Sequence, residues 1–181
     1  MKGVIFTQFL RFAEDQFGPE TAALLANDTR YSPAGDYDHS ELQELARRLG
    51  EATANPPAEL LRRFGIVLFH YFAAMYPVFF AGVDSALGFL SRTETYIHGE
   101  LIKLYPDAQF PRFDVRQPSA NQLEMVYRSR RELADLAEGL IAGCAEHFGE
   151  SIAVRRENLR GNGEQAVRFT VSTAPAAVTL A

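Results

Sequence analysis

The sequence predicts one α+β domain, with a helical first half and a small antiparallel sheet and long helix in the second half. Its 181 residues are enough for a single domain with a sizeable core. Apolar residues follow helical spacing up to about residue 105, and strand-like alternation starts only after the prolines of 106–120. Apolar residues make up 47% and charged residues 23%, the balance of a soluble globular protein.

The first half predicts a series of helices joined by short connections. In the first of them, Ile5, Phe9 and Phe12 share one side while Arg11 and Glu14 lie on the other. The stretch 28–40 is rich in aspartate and contains proline and glycine, so it predicts a loop. The expected helices are 4–17, 20–27, 40–53, 57–76, 77–91 and 92–105.

The second half changes to alternating apolar and polar residues around one long helical pattern. The helix is expected over 132–148, and Arg160 to Gly163 predict the turn of a hairpin. The expected strands are 112–117, 122–127, 151–159 and 165–173.

Composition excludes several classes of function. With 18 Lys and Arg against 23 Asp and Glu, the net charge is −5 and no basic tract favours nucleic acid. A single cysteine excludes an internal disulfide framework and a cysteine-rich zinc module. The start of the chain lacks the pattern of a signal peptide, and Pro77 interrupts the uncharged stretch 65–83. We therefore expect a cytoplasmic protein that does not bind membranes, with 65–76 as a core helix.

His98 is the histidine in the most suggestive position. Leu101, Ile102 and Tyr105 follow it at +3, +4 and +7, so its ring is expected on an apolar helix face. A neutral imidazole in such a place can ligate haem iron. The alternative is a core histidine bonded to a backbone carbonyl, and spacing alone leaves both open.

Tyr127, Ser129 and Arg131 form a second candidate site. At alternate positions of an extended segment, their side chains point to one side. Two hydroxyls and one guanidinium suit two carboxylates on a rigid frame, such as the propionates of haem. The alternative is a solvated basic turn.

Taken together, these features resemble the H-NOX family, which binds nitric oxide or oxygen at haem. The opening Met-Lys-Gly-x-Ile resembles the start of the family, and Phe80–Gly82 follows the proline-broken helix as it does there. His98 precedes Pro111 by 13 positions and Tyr127 by 29. The resemblance runs from residue 1 to about 173 and extends to stand-alone bacterial sensors and to the haem domain of soluble guanylate cyclase.

The resemblance implies a single haem domain over 1–181. A helical lobe of about 1–60 and a haem-ligating lobe of about 61–181 would enclose haem b between them. It implies that His98 is the axial iron ligand, that Tyr127, Ser129 and Arg131 bind the propionates, and that Pro111 distorts the porphyrin. The residues expected to complete the pocket are Ile5, Phe9, Leu68, Phe72, Leu136 and Leu140.

The resemblance also bears on the choice of gas. Oxygen-binding members carry a tyrosine five positions after the arginine that corresponds to Arg131, and this chain has Leu136 there. They also carry polar side chains at the positions where this chain has Phe9 and Leu68. Losing a charge-assisted hydrogen bond costs bound O₂ about 1.5–3 kcal/mol, or about ten- to hundredfold in affinity. We expect a sensor, not an enzyme, that binds NO and CO and excludes O₂.

Three alternatives stay open at this point. One is a haem enzyme that consumes NO or peroxide. Another is an oxygen-binding member of the same family, if Tyr71, Tyr76 or His70 reaches the pocket. The third is an interaction module without haem, whose apolar groove binds a lipid or a partner helix.

The resemblance implies output through a separate protein. NO would weaken the bond between His98 and iron, the two lobes would shift, and a sensor histidine kinase or a cyclic-di-GMP enzyme would respond in trans.

Other polar residues receive plainer interpretations. Cys144 and His147 are three positions apart, but with a single cysteine we expect no complete zinc site, and Cys144 is expected to be an ordinary helix thiol. Glu132, Asp135 and Glu138 are expected to form a solvent-facing stripe.

Overall fold

The computed structural model describes residues 1–26, 31–160 and 163–173. This part of the chain contains seven α-helices and a four-stranded antiparallel sheet. The helices are α1 (Gly3–Phe17), α2 (Pro19–Ala26), α3 (His39–Thr53), α4 (Pro57–Met75), α5 (Ala86–Ser91), α6 (Gly99–Leu104) and α7 (Ala134–His147). The strands are β1 (Arg112–Ser119), β2 (Gln122–Ser129), β3 (Ile152–Leu159) and β4 (Gln165–Thr173). The predicted α+β class is confirmed.

The start of α1 is held against the loop that precedes α3. Gly3 N donates to Gly35 O at 2.7 Å, and Lys2 Nζ pairs with Asp36 at 2.7 Å. A Cβ at position 3 would lie 1.8 Å from the carbonyl oxygen of Ser32, so this position requires glycine. The close approach gives a physical reason for the Lys-Gly pair at the start of the sequence.

Local signals set the ends of α3 and α4. The Asp38 carboxylate accepts from Ser40 N at 2.8 Å while Glu41 accepts from Asp38 N at 3.3 Å, which is a capping box. Pro57 occupies the first turn of α4, where a missing N–H costs nothing, and Pro77 follows the helix end at Met75. The predicted bounds of both helices are correct to within one residue.

Helices α4 and α7 cross at very short range. A Cβ on Gly139 would lie 2.0 Å from the carbonyl oxygen of Arg62 and 2.9 Å from the Cα of Gly65. A Cβ on Gly143 would lie 2.8 Å from the Cβ of Phe69. Small residues on both helices therefore let the two backbones touch.

The core consists of two clusters of buried apolar side chains. The N-terminal cluster contains Phe6, Phe9, Phe12, Leu42, Leu45, Leu49, Leu60, Phe64, Leu68, Leu133 and Leu136. The sheet cluster contains Phe69, Phe79, Phe89, Leu123, Met125, Tyr127, Ile141, Cys144, Val167, Phe169 and Val171. Helices α4 and α7 contribute to both, and Leu140 of α7 packs against both.

The sheet has the strand order β1-β2-β4-β3, with every neighbouring pair antiparallel. Residues of β2 alternate between the two faces, and its buried members are Leu123, Met125, Tyr127 and Ser129. Tyr127 is paired with Phe113 on one side and with Val167 on the other. The predicted turn at 160–163 includes residues 161 and 162, which lie outside the described part of the chain.

The stretch 77–105 differs from the two short helices that its pattern predicts. It contains a 3₁₀ helix (Pro77–Phe80), α5, a π-helical turn (Thr93–His98) and α6. In the π-helical turn, Ile97 N donates to Arg92 O at 3.1 Å, five residues back. His98 is the last residue of this turn and is followed directly by α6, so it lies within a continuous helical stretch, as predicted, but one that begins with a π-helical turn.

The apolar side chains that follow His98 are only partly buried. Leu101 packs against the sheet cluster, whereas Ile102 and Tyr105 are 48% and 36% exposed. Tyr105 lies beyond the end of α6, so α-helical spacing from His98 no longer applies to it.

Within the described residues, no helix combines the length and the apolar character needed to cross a membrane. The uncharged stretch 65–83 instead places Leu68 and Phe69 in the core, as predicted.

Candidate functional site

His98 is a nearly buried imidazole, 12% exposed, with one ring nitrogen held in place. Nδ1 lies 3.2 Å from Oε2 of Glu94, one π-helical turn earlier. Burial lowers the pKa of His98, and the hydrogen bond and charge of Glu94 oppose that shift. The ring is therefore neutral near pH 7, with Nε2 unengaged by any hydrogen bond within the described residues. The alternative considered above, a core histidine bonded to a backbone carbonyl, does not describe His98, because its partner is the Glu94 carboxylate.

Aromatic rings connect His98 to the second candidate site. Phe110 stacks on His98 at 4.9 Å between ring centroids, and Phe113 lies 5.9 Å away. Phe113 in turn packs edge-on against Tyr127 at 5.6 Å. Pro111 lies half-buried between these two phenylalanines along the chain. The structure thus places His98, Pro111 and Tyr127 in one region.

Tyr127 and Ser129 lie on the buried face of β2, and Arg131 follows in the turn beyond the strand. Leu133 N donates to the Tyr127 hydroxyl at 3.3 Å, and Arg131 N donates to the Ser129 hydroxyl at 3.1 Å. Burial raises the pKa of Tyr127, while Ser129, Leu133 N–H and the charge of Arg131 oppose the rise. Only Tyr127 and Ser129 show the predicted alternation along the strand. β2 ends at Ser129, and Arg131 lies in the turn that follows, where Glu132 has a φ of 51°.

Arg131 is a half-buried cation beside these two hydroxyls. Within residues 1–26, 31–160 and 163–173, no carboxylate lies at ion-pair distance from its guanidinium. The Gln43 side chain donates to its backbone oxygen at 3.2 Å and so ties α3 to the turn. A guanidinium without an acidic partner next to two hydroxyls suits an anionic ligand better than a solvated turn.

The other predicted pocket residues belong to the N-terminal cluster. Phe9, Leu68 and Leu136 are buried in it, at 0%, 1% and 8% exposure. Ile5, Phe72 and Leu140 pack at its margin. These six side chains present only carbon, so this wall offers no hydrogen-bond donor.

Three other polar side chains were candidates for reaching this wall. His70 is exposed and pairs with Glu146 at 3.2 Å. The Tyr76 hydroxyl is engaged with the Tyr105 hydroxyl at 3.2 Å. Tyr71 is the one of the three that packs at the margin of the N-terminal cluster.

The residues present fit a haem group. The nearly buried, neutral imidazole of His98 has a free nitrogen that can bind iron. The guanidinium of Arg131 and the hydroxyls of Tyr127 and Ser129 can bind an anionic group. The two apolar clusters meet at Leu140 and can cover an apolar ring system. Phe113 and Leu101 near His98 pack against the sheet cluster, whereas the other predicted pocket residues lie in or beside the N-terminal cluster.

The structure changes one expectation about acidic residues and adds one acidic residue to the site. Asp135 and Glu138 are 20% and 19% exposed and pair with Arg62 and Arg156, so they do not form a solvent stripe. Glu94 was missed by the sequence reasoning, although its position four residues before His98 on a helical pattern was a usable signal.

Cys144 is an ordinary core thiol. It is fully buried, burial raises its pKa, and its Sγ lies 3.8 Å from Ala86 O. No group of three or more histidine, cysteine or acidic side chains is arranged for a metal ion in the described part of the chain.

Comparison with known structures gives matches over nearly the whole chain. An unliganded Fe(II) H-NOX protein from K. algicida is 31% identical, with 98% of each chain covered and a TM-score of 0.88. An H-NOX protein from S. oneidensis in the Fe(II)NO state is 25% identical, with a TM-score of 0.88 over 97% of this chain and 100% of that one. A variant of the T. tengcongensis H-NOX protein is 25% identical, with a TM-score of 0.85 over 97% and 98%.

Among curated protein sequences, none matches this chain. The family described as Haem-NO-binding matches residues 2–156. That match covers most of the chain and includes His98, Pro111 and the whole of the Tyr127–Arg131 segment. The chain therefore belongs to the haem-NO-binding, or H-NOX, family, whose fold is that of haem-based gas sensors.

Proposed function

We propose that this protein senses nitric oxide at a ferrous haem b, also binds CO, excludes O₂ and acts on a separate effector protein. The observation that best supports the proposal is the nearly buried imidazole of His98 with its free Nε2, and the carbon side chains of Phe9, Leu68 and Leu136 in the N-terminal cluster support the choice of gas. Bound haem would supply an iron centre that takes up diatomic gases.

Each residue of the site receives a role within this proposal. His98 would bind iron through Nε2, with Pro111 pressing on the porphyrin nearby. Tyr127, Ser129 and Arg131 would hold the propionates, since Arg131 has no acidic partner within the described residues. The walls would be formed by Ile5, Phe9, Leu68, Phe72, Leu136 and Leu140. The two lobes of one haem domain would be about 1–60 and about 61–181, and the second lobe would contribute Phe64, Leu68, Leu133 and Leu136 to the N-terminal cluster.

Discrimination against O₂ follows from the distal wall. O₂ gains affinity from a hydrogen-bond donor because it takes on negative charge when bound, whereas NO needs no such donor. Phe9, Leu68 and Leu136 provide none. The same absence of acid or base groups on this wall disfavours an enzyme that turns over peroxide.

The elements around His98 give a route for output. Glu94 ties the π-helical turn to the start of β1, through Phe113 N at 3.0 Å. The Tyr105 hydroxyl ties the far end of α6 to Tyr76 at the end of α4, and Lys2 Nζ lies 5.9 Å from the Tyr105 ring. A shift of His98 would therefore reach both clusters and bias a partner, which we propose is a sensor histidine kinase or a cyclic-di-GMP enzyme.

Absorption spectroscopy of the purified full chain tests the proposal. We expect a haem Soret band that shifts with NO and with CO and stays unchanged in air. A His98→Ala variant should lose haem and regain it with added imidazole, while the exposed His70→Ala should retain it. A colourless folded protein from haem-replete cells, or a stable complex with O₂, would refute the proposal.

A further inference from the structure

Glu94 makes two contacts with a single carboxylate oxygen. Its Oε2 lies 3.2 Å from His98 Nδ1 and also accepts from the backbone N–H of Phe113 at 3.0 Å. The first contact is within the π-helical turn and the second reaches the start of β1. The carboxylate therefore joins the imidazole to a neighbouring element.

These contacts fix the protonation pattern of the ring. A carboxylate at neutral pH only accepts hydrogen bonds, so the ring nitrogen facing it must carry the proton. The proton on Nδ1 leaves the lone pair on Nε2. Histidines that bind metals are commonly oriented in this way, and a carboxylate acceptor also raises the basicity of the ligating nitrogen.

We propose that Glu94 is a positioning residue that selects the Nε2-ligating form of His98 and strengthens its bond to iron. The inference rests on the proposed haem function and adds a residue that sets how firmly His98 is retained when NO binds. A stronger bond to His98 would keep a larger fraction of the protein with both ligands in place.

The surroundings of Glu94 support a specific role for its oxygen. The side chain is 38% exposed and lines an open cleft of about 390 Å³ together with Ser91, Thr95 and Val115. Solvent in the cleft weakens the field of the carboxylate, but Phe113 N–H keeps Oε2 in line with the imidazole. The geometry is thus held by the backbone of β1 and not by burial.

A merely structural role for Glu94 can be separated from this one. Glu94→Gln keeps an amide oxygen that can accept from both N–H groups, but it removes the charge. If Glu94 only fastens the turn to β1, Glu94→Gln should behave as the original protein. If Glu94 tunes His98, the iron–histidine bond should weaken although the turn stays in place.

Resonance Raman spectroscopy of the ferrous, haem-bound full chain measures that bond directly. We expect the iron–histidine stretching band to move to lower frequency in Glu94→Gln, and the fraction of protein that loses the His98 bond after NO addition to rise. The matched control is Glu100→Gln, since Glu100 is in the same segment and pairs only with the exposed Lys103 at 2.6 Å among the described residues. An unchanged band in Glu94→Gln overturns the proposal.

Nitrogen-15 NMR provides a readout that does not depend on gas sensing. In the full chain freed of haem, where neither ring nitrogen is bound to iron, we expect His98 to be protonated mainly at Nδ1, with a smaller share of that tautomer in Glu94→Leu. Equal tautomer populations in the two proteins also overturn the proposal. Failure of the original protein to bind haem would instead refute the function, and the tautomer measurement would still decide the role of Glu94.

Discussion

At the scale of single residues, adjacent arginines of the motif have different surroundings. Arg130 is exposed, whereas Arg131 is half-buried next to the hydroxyls of Tyr127 and Ser129. The Tyr-x-Ser-x-Arg spacing predicted an anion site from sequence because alternation along a strand is a local property. The contact of Glu94 with Phe113 escaped prediction because it joins two segments 19 residues apart, whereas its spacing from His98 was a local signal.

Replacing Arg131 should weaken haem binding. We expect Arg131→Ala to lose haem faster, by about ten- to hundredfold, which corresponds to one charge-assisted hydrogen bond of about 1.5–3 kcal/mol. Transfer of haem to an excess of apomyoglobin measures the rate. The neighbouring Arg130→Ala is the control, and equal rates in the two variants would contradict the propionate role.

Placing a hydroxyl at position 136 should admit oxygen. Leu136 is 8% exposed on the carbon wall, and Leu136→Tyr would add a donor there. We expect O₂ affinity to rise about ten- to hundredfold, measured by absorption spectroscopy in air-equilibrated buffer. Leu136→Phe adds the same ring without the hydroxyl. A gain that is equal in both variants would show that ring size, not hydrogen bonding, controls O₂.

At the scale of elements, most helices and strands followed from local pattern, but the π-helical turn did not. Hydrogen bonds that reach five residues back shift the phase of a helix without leaving a distinct signature in apolar spacing. The sequence also placed Ile102 and Tyr105 on an apolar face with His98, and the structure leaves both exposed, Tyr105 beyond the end of the short α6. Irregular turns of this kind concentrate at functional sites, and the π-helical turn that the sequence did not predict ends at His98, the candidate ligand.

The crossing of α4 and α7 should be intolerant of a single methyl group. We expect Gly139→Ala to lower the free energy of unfolding by about 1–3 kcal/mol, because its Cβ would lie 2.0 Å from a backbone oxygen of α4. Urea unfolding measures the change. Gly99→Ala is the control, since a Cβ there meets nothing within 4 Å, and it should raise stability by about 0.4–1 kcal/mol. Unchanged stability in Gly139→Ala would mean that the helices can separate slightly at no cost.

At the scale of the whole molecule, the fold class was predictable while the strand order was not. The prolines of 106–120 and the change from helical to alternating pattern predict α+β from local features. The order β1-β2-β4-β3 depends on pairing between strands that are distant in sequence, such as Tyr127 with Val167. Likewise, a haem site between two clusters was implied by the resemblance and not by periodicity.

The intact protein should lose stability in alkali. Burial and hydrogen bonding to acceptors raise the pKa of Tyr31 and of Tyr76 from 10.0 to about 12, and burial also raises the pKa of Cys144 above its ordinary value. Because these folded-state values are raised, the stability is complete below the unfolded pKa values and is lost as pH rises towards 12.

Urea midpoints measured from about pH 8 to about pH 12 test this expectation, which concerns the protonation linkage of the entire fold. Tyr31→Phe and Tyr76→Phe should each make the decline shallower, because a phenyl ring has no proton to release. The same steep decline in both variants would assign the alkaline loss to other groups.

The burial of Cys144 has a practical consequence for labelling. Thiol-directed dyes and spin labels react with the exposed thiolate, and the chain's single cysteine is fully buried with a raised pKa. The native cysteine of the folded protein should therefore react very little with such labels. A cysteine introduced at the exposed Met75 would carry the only reactive thiol, and one fluorophore there could report rearrangement at the end of α4 when a gas is added.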